Sequence, residues 1–434
     1  MSRSPYHPPF HRRILPWLYL AVFLGLAPVV VFYTAGYRYN PKKNAVERNG
    51  TLILDSTPRD AQVSLDGRLI EETTPITLQN VAPGMHRIRL ERVGFHAWEK
   101  ELDVRPEQVT FANTIWLWRQ AEPELFATGT IINLAENAER SAVAVLSLEG
   151  AAATLRILDE DGLTGGVSLK SSALTAASAL RWREGGSELL LGGDTPGQPT
   201  WIAHTTPALR IEPLANGWYT WFEGSAVGSD GTAAIRLLPR RDTAERTPFA
   251  PGVMAQIGDL TLSIGSSSRE LLLVDDRSPE RALRLPVGAW VPSEERNGRW
   301  FFSDGSRWLA LATADRQPLS SRAEGDVLRW NPEEDRALLL AANELNVWDG
   351  HSAPEPIWRQ SDMLVDAIWH RSGRAIFLAT EQTVYALELD NRGGRQATTL
   401  ASFDEIRGLS ILGRMLVVAG KRGEVEGVWG LRVE

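Results

Sequence analysis

The residue types that could carry out catalysis are sparse and do not form an active-site pattern. The 434 residues include seven histidines and no cysteine, so a thiolate metal site, a disulfide and a cysteine nucleophile are all excluded. A G-x-S-x-G elbow, a P-loop, a G-x-G-x-x-G loop and an H-E-x-x-H pair are also missing from the sequence. The sequence therefore predicts a protein that is not an enzyme, with no catalytic residue, no metal ligand and no cofactor.

Two features come nearest to a metal site. The acidic runs at 159–161 and 275–276 lack the D-x-D-x-D-G spacing that would surround Ca²⁺ with oxygen ligands. His86 and His96 flank the turn of a predicted hairpin, where a structural role is the expected one. We interpret all of these residues as surface or turn positions.

The tryptophans offer a chemistry with a spatial pattern. Trp116 and Trp118 are two residues apart, so on a strand their side chains would share one face, and Trp98 is close in the chain. An open face of this kind stacks on sugars or on a protein partner. We take Trp98, Trp116 and Trp118 as the candidate binding surface, and burial against a neighbouring domain is the favoured alternative.

Net charge argues against nucleic acid as a partner. The formal net charge is −8. Residues 1–48 hold seven of the basic residues and one acid, so the rest of the chain is more acidic still. A surface with this balance repels a phosphate backbone.

One stretch predicts a membrane anchor. Residues 14–33 contain no charged side chain, and at about 1.5 Å per helical residue they span about 30 Å, the thickness of a bilayer core. We predict a transmembrane helix over residues 14–35, a disordered tail over 1–13 and a linker over 36–49. A signal peptide would be shorter, and a soluble core helix would carry polar residues at helical spacing.

Beyond the linker, the period of the apolar residues changes to two. Over residues 50–118 apolar and polar residues alternate, which predicts half-buried strands. Asp66-Gly67 favours a tight hairpin, and Pro75 and Pro83 mark two further turns. The stretch therefore predicts a compact β-sandwich.

Eight positions within this sandwich have the spacing of a known family. They are Pro58, Ala61, Asp66, Gly67, Pro75, Pro83, Gly84 and Gly94. In this spacing the stretch resembles the PEGA domain, although the tetrad that names the family keeps only its Pro and Ala here. The resemblance implies a small β-sandwich of bacterial and archaeal envelope proteins, often preceded by a membrane segment, with no catalytic role.

The remaining residues, 124–434, repeat one plan with a period of about 40 residues. Each copy has a large apolar residue, then a polar turn, then a buried strand. The apolar position is held by Leu134, Trp182, Phe302, Trp330, Trp369 and Leu409. The repeat predicts a β-propeller of roughly seven or eight blades, in which the segment after Glu124 pairs with the final strand. Trp348-Asp349 gives a partial resemblance to WD40-type propellers, and a pair of stacked β-sandwiches is the alternative fold.

Together these elements predict an all-β, single-pass membrane protein of the cell envelope. Its expected role is non-catalytic, and its expected partners are the membrane and a protein or a glycan. The basic residues on the two sides of the span nearly balance, so an extracytoplasmic body is implied by the resemblance alone. The alternatives are a propeller-based hydrolase or lyase and a cytoplasm-facing scaffold.

Overall fold

The computed structural model divides the chain into two compact units. Unit 1 comprises Met1–Leu117 with Asp390–Arg395, and unit 2 comprises Trp118–Leu389 with Gln396–Glu434. The structure describes residues 10–434 except 35–36, 41–44, 138, 140, 151, 170–173, 175–178, 193–197, 238–243, 250–252, 258–259, 265–269, 276–282, 287–289, 297–298, 313–319 and 332. Residues 1–9 of the predicted disordered tail lie outside the described residues, whereas residues 10–13 form the first turn of a helix.

The described residues contain one α-helix, α1 (Phe10–Thr34). Its last twenty residues, Leu15–Thr34, are apolar, and none of them is buried inside the protein. This length and composition are sufficient to cross a membrane. The predicted apolar helix is therefore confirmed as a helix.

The segment predicted as a linker has secondary structure of its own. Strands β1 (Tyr37–Asn40) and β2 (Ala45–Arg48) pair antiparallel, with Tyr37 opposite Arg48. The described part of the predicted linker, 36–49, therefore contains a two-stranded hairpin. Extended backbone on both sides of a short connection allows the two arms to satisfy each other's hydrogen bonds.

Seven further strands in unit 1 form two sheets. They are β3 (Gly50–Thr57), β4 (Gln62–Leu65), β5 (Arg68–Thr73), β6 (Ile76–Val81), β7 (Gly84–Glu91), β8 (Trp98–Val104) and β9 (Val109–Trp116). One sheet has the order β6-β3-β9 and the other β5-β4-β7-β8. The pairing of β9 with β3 is parallel, and the other pairs are antiparallel.

The alternation of apolar residues forms the core between these sheets. Leu52 and Leu54 on β3 are fully buried, as are Leu102 and Val104 on β8, while the residues between them are exposed or half-buried. Each such side chain contributes roughly 1.5–3 kcal/mol when it is removed from water. The predicted β-sandwich is confirmed.

Unit 2 is built from strands throughout its described length. Its strands are β10 (Glu124–Thr128); sheet 1, β11 (Thr130–Asn137), β12 (Ala142–Glu149), β13 (Ala152–Asp159), β14 (Gly162–Leu163) and β15 (Val167–Leu169); sheet 2, β16 (Ala179–Trp182), β17 (Glu188–Gly192), β18 (Thr200–His204) and β19 (Arg210–Pro213); sheet 3, β20 (Trp218–Phe222), β21 (Ser225–Ser229), β22 (Ala233–Leu237) and β23 (Ala244–Pro248); sheet 4, β24 (Val253–Ile257), β25 (Leu260–Ile264), β26 (Glu270–Asp275) and β27 (Leu283–Pro286); sheet 5, β28 (Val291–Arg296), β29 (Arg299–Ser303), β30 (Arg307–Ala312) and β31 (Ser320–Glu324); sheet 6, β32 (Val327–Trp330), β33 (Ala337–Ala341), β34 (Glu344–Trp348) and β35 (Glu355–Arg359); sheet 7, β36 (Leu364–Trp369), β37 (Ala375–Thr380), β38 (Thr383–Glu388) and β39 (Ala397–Ser402); and sheet 8, β40 (Glu405–Leu412), β41 (Met415–Arg422) and β42 (Val425–Arg432).

The two ends of unit 2 meet in sheet 8. Strand β10 pairs antiparallel with β42, with Glu124 opposite Gly430. Sheets 1 and 8 also share a core that includes Ile131, Val143 and Val417. In an open stack of sheets, the outer faces of the first and last sheets would be exposed. Here the first and last sheets of unit 2 pack against each other, so the fold is a propeller and not a pair of stacked sandwiches.

Sheet 4 does not separate its two neighbours at every point. The Thr220 hydroxyl on β20 donates to the Ser293 carbonyl oxygen on β28 at 2.5 Å, which joins sheets 3 and 5 directly. Phe302 lies on β29, the second strand of its sheet, so its predicted place in the repeat was wrong. The polar turn that follows Phe302 connects the second and third strands of its sheet, so the repeat pattern was matched one hairpin too late.

Candidate functional site

The first strands of several sheets lie against one another: β11 against β16 and β40, β36 against β32 and β40, and β20 against β28. Indole N–H groups on three of these strands donate to carbonyl oxygens on the first strand of the preceding sheet. The bonds are Trp182 to Ala135 at 3.0 Å, Trp221 to Arg181 at 2.9 Å and Trp369 to Arg329 at 3.0 Å. These three tryptophans therefore join sheet to sheet.

Trp330, the remaining repeated tryptophan, is held by ring contacts. Its ring lies edge-on to Phe301, with centroids 4.7 Å apart, and beneath the Arg296 guanidinium at 4.9 Å. Sequence reasoning missed Trp221, because the repeat cannot be aligned over residues 200–290. The run Trp218–Phe222, dense in aromatic residues, was the available signal.

The residue after the repeated tryptophan makes a second link between sheets. Asn331 is fully buried, and its side-chain N–H donates to the Gly373 carbonyl oxygen of the next sheet at 3.0 Å. Asn137 donates in the same way to the Gly186 carbonyl oxygen at 3.1 Å. These buried amides fix the spacing of neighbouring sheets, since an unpaired amide would be costly.

Glu136 takes the place of the tryptophan in sheet 1. It stands opposite Val143, seven residues on, just as Trp369 stands opposite Ile376. The prediction had placed Leu134 at this position, two residues too early. The repeat position of sheet 1 therefore holds a carboxylate where sheets 2, 6 and 7 hold an indole.

Two charged residues on first strands lie close to this region. Asp366 on β36 accepts from the Leu409 N–H on β40 at 2.9 Å and from its neighbour Ala367 at 2.9 Å. The Arg329 guanidinium on β32 approaches the same Asp366 carboxylate, with Nη2 3.6 Å from Oδ2. Three first strands are therefore joined through one buried carboxylate.

Glu136 interacts electrostatically with Arg329 in sheet 6 and with Arg371, which follows β36 in sheet 7. Sheets 7 and 8 stand between sheets 6 and 1 around the ring, so Glu136 comes from a sheet that is not next in sequence to those of the two arginines. Glu136 is open to solvent, yet desolvation by the protein around it raises its pKa to about 7 against the opposing effect of the two arginines. We call Glu136, Arg329, Asp366 and Arg371 the axial cluster.

The three tryptophans of the predicted binding surface do not form an exposed aromatic surface. Trp98 is 5% exposed and belongs to the core of unit 1, and Trp116 is half-buried at the end of β9. Trp118 is 5% exposed in unit 2, where its ring lies edge-on to His370 at 5.3 Å and to Phe377 at 5.2 Å. Neither Trp98 nor Trp118 presents a ring face to solvent.

The prediction that Trp116 and Trp118 share a strand face was wrong. Strand β9 ends at Trp116, and the following N–H, that of Leu117, donates to the Thr57 carbonyl oxygen at 2.8 Å. Beyond that bond the chain belongs to unit 2. Period-two reasoning applies only while a strand continues, and the sequence did not mark this end.

The eight positions predicted from the family spacing serve as turn and core positions. Asp66 and Gly67 have φ angles of 50° and 77°, as a tight hairpin requires. Gly84 and Gly94 also have positive φ, and Ala61 is fully buried. Pro58, Pro75 and Pro83 lie at or beside strand ends.

The sandwich in unit 1 is similar to a known domain family. Residues 49–115 match the family model of the PEGA domain. The match covers about a sixth of the chain, and its residues are those of the sandwich in unit 1. We refer to this sandwich as the PEGA domain below. A comparison with curated proteins gave no match.

Solved structures similar to the chain include a WD40 domain and a β-propeller domain. The C-terminal WD40 domain of Sif2 is 14% identical, with a TM-score of 0.47 over 71% of this chain and 98% of that domain. The β-propeller domain of Cps50 (Swd1) from Myceliophteria thermophila is 13% identical, with a TM-score of 0.42 over 71% and 100%. Apo AztD from Citrobacter koseri is 10% identical, with a TM-score of 0.45 over 64% and 95%. At these values the likeness concerns the course of the chain and transfers no function.

Proposed function

We propose that this chain is a membrane-anchored protein of the cell envelope whose PEGA domain and propeller act as a non-catalytic binding or structural module. The observation that supports the anchor is Leu15–Thr34, a twenty-residue apolar helix with no buried residue. Such a surface is stable in lipid and unstable in water. The propeller supplies a rigid scaffold on which a partner protein or a glycan can bind.

Fractionation of cells tests the anchor. We expect the full-length chain in the membrane fraction, resistant to high salt and to alkaline carbonate and released by detergent. A variant with Leu20→Arg and Phe23→Arg places two charges in the span, at a cost of about 2.5–3.5 kcal/mol each near its centre, and should appear in the soluble fraction. A wild-type chain that is soluble without detergent would refute the proposal.

The absence of cysteine makes the side of the membrane testable. Val93 is 99% exposed in the PEGA domain, so Val93→Cys gives a single accessible thiol, and Ser4→Cys gives one on the other side of the span. With an impermeant maleimide on intact cells, an extracytoplasmic body predicts labelling of Val93→Cys and protection of Ser4→Cys until the cells are opened. The reverse pattern would support the cytoplasm-facing scaffold.

A second candidate function is that of a hydrolase or lyase, and the axial cluster favours it. A carboxyl group whose pKa is about 7 can act as a general acid or base near neutral pH, and arginines stabilise developing negative charge. Activity screens on envelope glycans and peptides test it. Turnover that is lost in Glu136→Gln while substrate binding persists would establish the enzyme, and absence of turnover would leave the binding role.

A further inference from the structure

We propose that one end of the PEGA domain rests on the lipid bilayer and inserts apolar side chains between its headgroups. The inference rests on the proposed membrane anchor and goes beyond it, because it gives the domain a lipid-binding surface of its own. That surface consists of Leu69, Met85, Val109 and Phe111, and we call it the apolar rim. Its partner is the boundary between the headgroups and the acyl chains.

The exposed apolar side chains of the sandwich are unevenly distributed. In residues 50–117, all of which the structure describes, the large apolar side chains that are exposed are those of the apolar rim and of Val93. Val109 is 46% exposed, Phe111 50% and Met85 59%. A single exposed apolar residue is ordinary, whereas a group of them at one place indicates an interaction surface.

Strand pairing places Val109 and Phe111 at the end of the sandwich where β3 begins. On β9 they stand opposite Thr51 and Ile53, in the first half of β3, and the two strands are parallel. Being two residues apart, they share one face of the sheet. That face is the outer one, because the next residue, Ala112, is buried in the core.

Met85 and Leu69 lie at the same end, on the other sheet. Met85 is the second residue of β7, which follows the turn after Val81, and Val81 stands opposite Gly50 at the start of β3. Leu69 is the second residue of β5. The turn before it donates a backbone hydrogen bond to the Arg87 carbonyl oxygen, near the start of β7, at 2.8 Å. Both outer faces therefore carry apolar side chains at this end.

The apolar helix joins the PEGA domain at this same end. Helix α1 ends at Thr34 and β3 begins at Gly50, and an extended chain of that length spans about 55 Å. The pairing of Tyr37 with Arg48 shortens the path, since paired residues lie about 5.5 Å apart or less. The rest of the connection then allows at most about 24 Å between the helix and β3. This end of the domain is therefore the one held near the bilayer.

The charges near the apolar rim are paired, so apolar burial and not charge attraction drives the contact. Arg48 lies 3.0 Å from the Glu107 carboxylate, and Arg105 lies 3.4 Å from the Asp103 carboxylate. Pairs of opposite sign give little net attraction to anionic headgroups. We therefore expect the same contact with neutral and with anionic bilayers.

Fluorescence quenching on the full chain in lipid nanodiscs tests the inference. The chain has no cysteine, so Met85→Cys, Val109→Cys and Phe111→Cys each carry one bimane probe. The lipids carry a spin label either just below the headgroup or deep in the acyl chain. We expect the shallow label to quench the three rim probes, because interfacial side chains reach about 5–10 Å into this region. A probe at Val93→Cys, in the turn at the opposite end of β7 from Met85, should not be quenched.

A probe at Leu24→Cys, within α1, separates this inference from the anchor itself. Quenching at Leu24→Cys by the deep label, with the rim probes no more quenched than the Val93→Cys probe, would keep the anchor and overturn the apolar rim. No quenching at Leu24→Cys would refute the anchor, and the inference that rests on it.

Further variants show whether the apolar side chains cause the contact. With the probe at Met85→Cys, the pair Val109→Asn and Phe111→Asn should remove the quenching, whereas Val93→Asn should leave it unchanged. If the double variant does not fold, Val109→Asn alone should weaken the quenching.

Two further results would overturn the proposal. One is quenching that appears only when the discs contain anionic phosphatidylglycerol, which would assign the contact to charge. The other is a rim probe whose emission is shifted to the blue but is not quenched by either spin label. In that case a second copy or another protein, and not lipid, would cover the apolar rim.

Discussion

The PEGA domain and the propeller are both built from β-sheets, but their polar links differ in the number of residues that they span along the chain. In the PEGA domain, Ser56 and Thr74 hydroxyls bond at 2.6 Å across 18 residues, and His86 meets Asp66 across 20. In the propeller, the buried bonds between first strands and turns span about one repeat: 40 residues for Trp369 to Arg329 and 43 for Leu409 to Asp366.

This difference shows which part of the sequence determines the polar links in each region. A link across about 20 residues is set by one or two turns, so local turn chemistry determines it. A link across one repeat depends on the stacking of two complete sheets, each of which buries its faces only against its neighbours. The axial cluster goes further, because its residues come from three different sheets, 1, 6 and 7.

The largest effect should follow from removing a tryptophan that joins two sheets. Trp369 is buried and donates to the Arg329 carbonyl oxygen. Trp369→Ala should lower the free energy of unfolding of unit 2 by about 3–5 kcal/mol, since it leaves a cavity and an unpaired carbonyl group. Hydrogen exchange of β32 and β36 measures the loss.

Trp358 on the outer strand β35 provides the matched control. It is half-buried, and its indole N–H makes only a long bond of 3.4 Å to Gln360. Trp358→Ala should cost less than half as much as Trp369→Ala. Equal losses would mean that links between first strands carry no special share of the stability of the ring.

The next effect concerns close backbone packing in the PEGA domain. A Cβ at Gly50 would lie 2.5 Å from the Arg105 carbonyl oxygen and 2.6 Å from Val104 Cγ1. Gly50→Ala should therefore cost about 1–3 kcal/mol through overpacking. Urea unfolding of the detergent-solubilised chain measures it.

Gly67 separates this steric cost from the cost of backbone conformation. Its φ is 77°, but a Cβ there would meet nothing within 4 Å. Gly67→Ala should cost about 1 kcal/mol, from the left-handed backbone alone. If Gly67→Ala proved the more damaging of the two, hairpin geometry and not packing would limit the stability of this domain.

The sequence predicted the PEGA domain in detail because its signals are local. Asp66-Gly67 adopts the positive φ angles that a tight hairpin requires, and Leu52, Leu54, Leu102 and Val104 are buried as their alternation indicates. The propeller was predicted as a class of fold, together with the closure by β10 on β42. Both signals, the repeat period and a strand at the start of the unit without a partner in its own repeat, can be read directly from the sequence.

The axial cluster could not be predicted in this way. Glu136, Arg329 and Arg371 lie in three different copies of the repeat, and none of them has a motif around it. An alignment that fixed the register of β11 would have shown Glu136 at a tryptophan position, but Leu134, a large apolar residue two places earlier, matched the repeat better. The Trp118 error has a related cause, since a strand end is set by tertiary contacts and not by the residue types beside it.

The two regions also contain carboxyl groups that should titrate with opposite effects on stability. Desolvation raises the pKa of Glu136 to about 7, above the ordinary 4.5. The folded chain therefore holds this proton more tightly than the unfolded chain does, so the stabilisation is complete below pH 4.5 and is lost as the pH rises through 7. Glu136→Gln should be more stable than the wild type at pH 8 and equal to it near pH 5.

Because Glu136 is open to solvent, the gain at pH 8 should be about 1 kcal/mol, less than the full shift would give in a dry interior. Thermal unfolding of the full chain at the two pH values measures it. Glu160→Gln, in the exposed turn between β13 and β14, is the control and should change nothing. A Glu136→Gln gain at pH 5 as large as that at pH 8 would contradict a raised pKa.

The smallest effect is expected at Asp66, where the sign is reversed. Partial burial would raise the pKa of this carboxyl group, but hydrogen bonds from His86 and from the Arg87 N–H, with the charges of His86 and Arg68, hold it below its ordinary value. The stabilisation is present above the ordinary pKa and is lost as the pH falls through the lowered one. Asn also tolerates the φ of 50° found at this position. Asp66→Asn should therefore lower the free energy of unfolding by only about 0.5–1 kcal/mol at pH 7, and the loss should disappear in acid.

Hydrogen exchange of β4 and β5 measures the difference, and Asp60→Asn, at an exposed residue with a similar φ of 62°, is the control. If both variants lost the same amount at pH 7, the hairpin would owe its stability to backbone geometry, and the carboxylate would play no part in it.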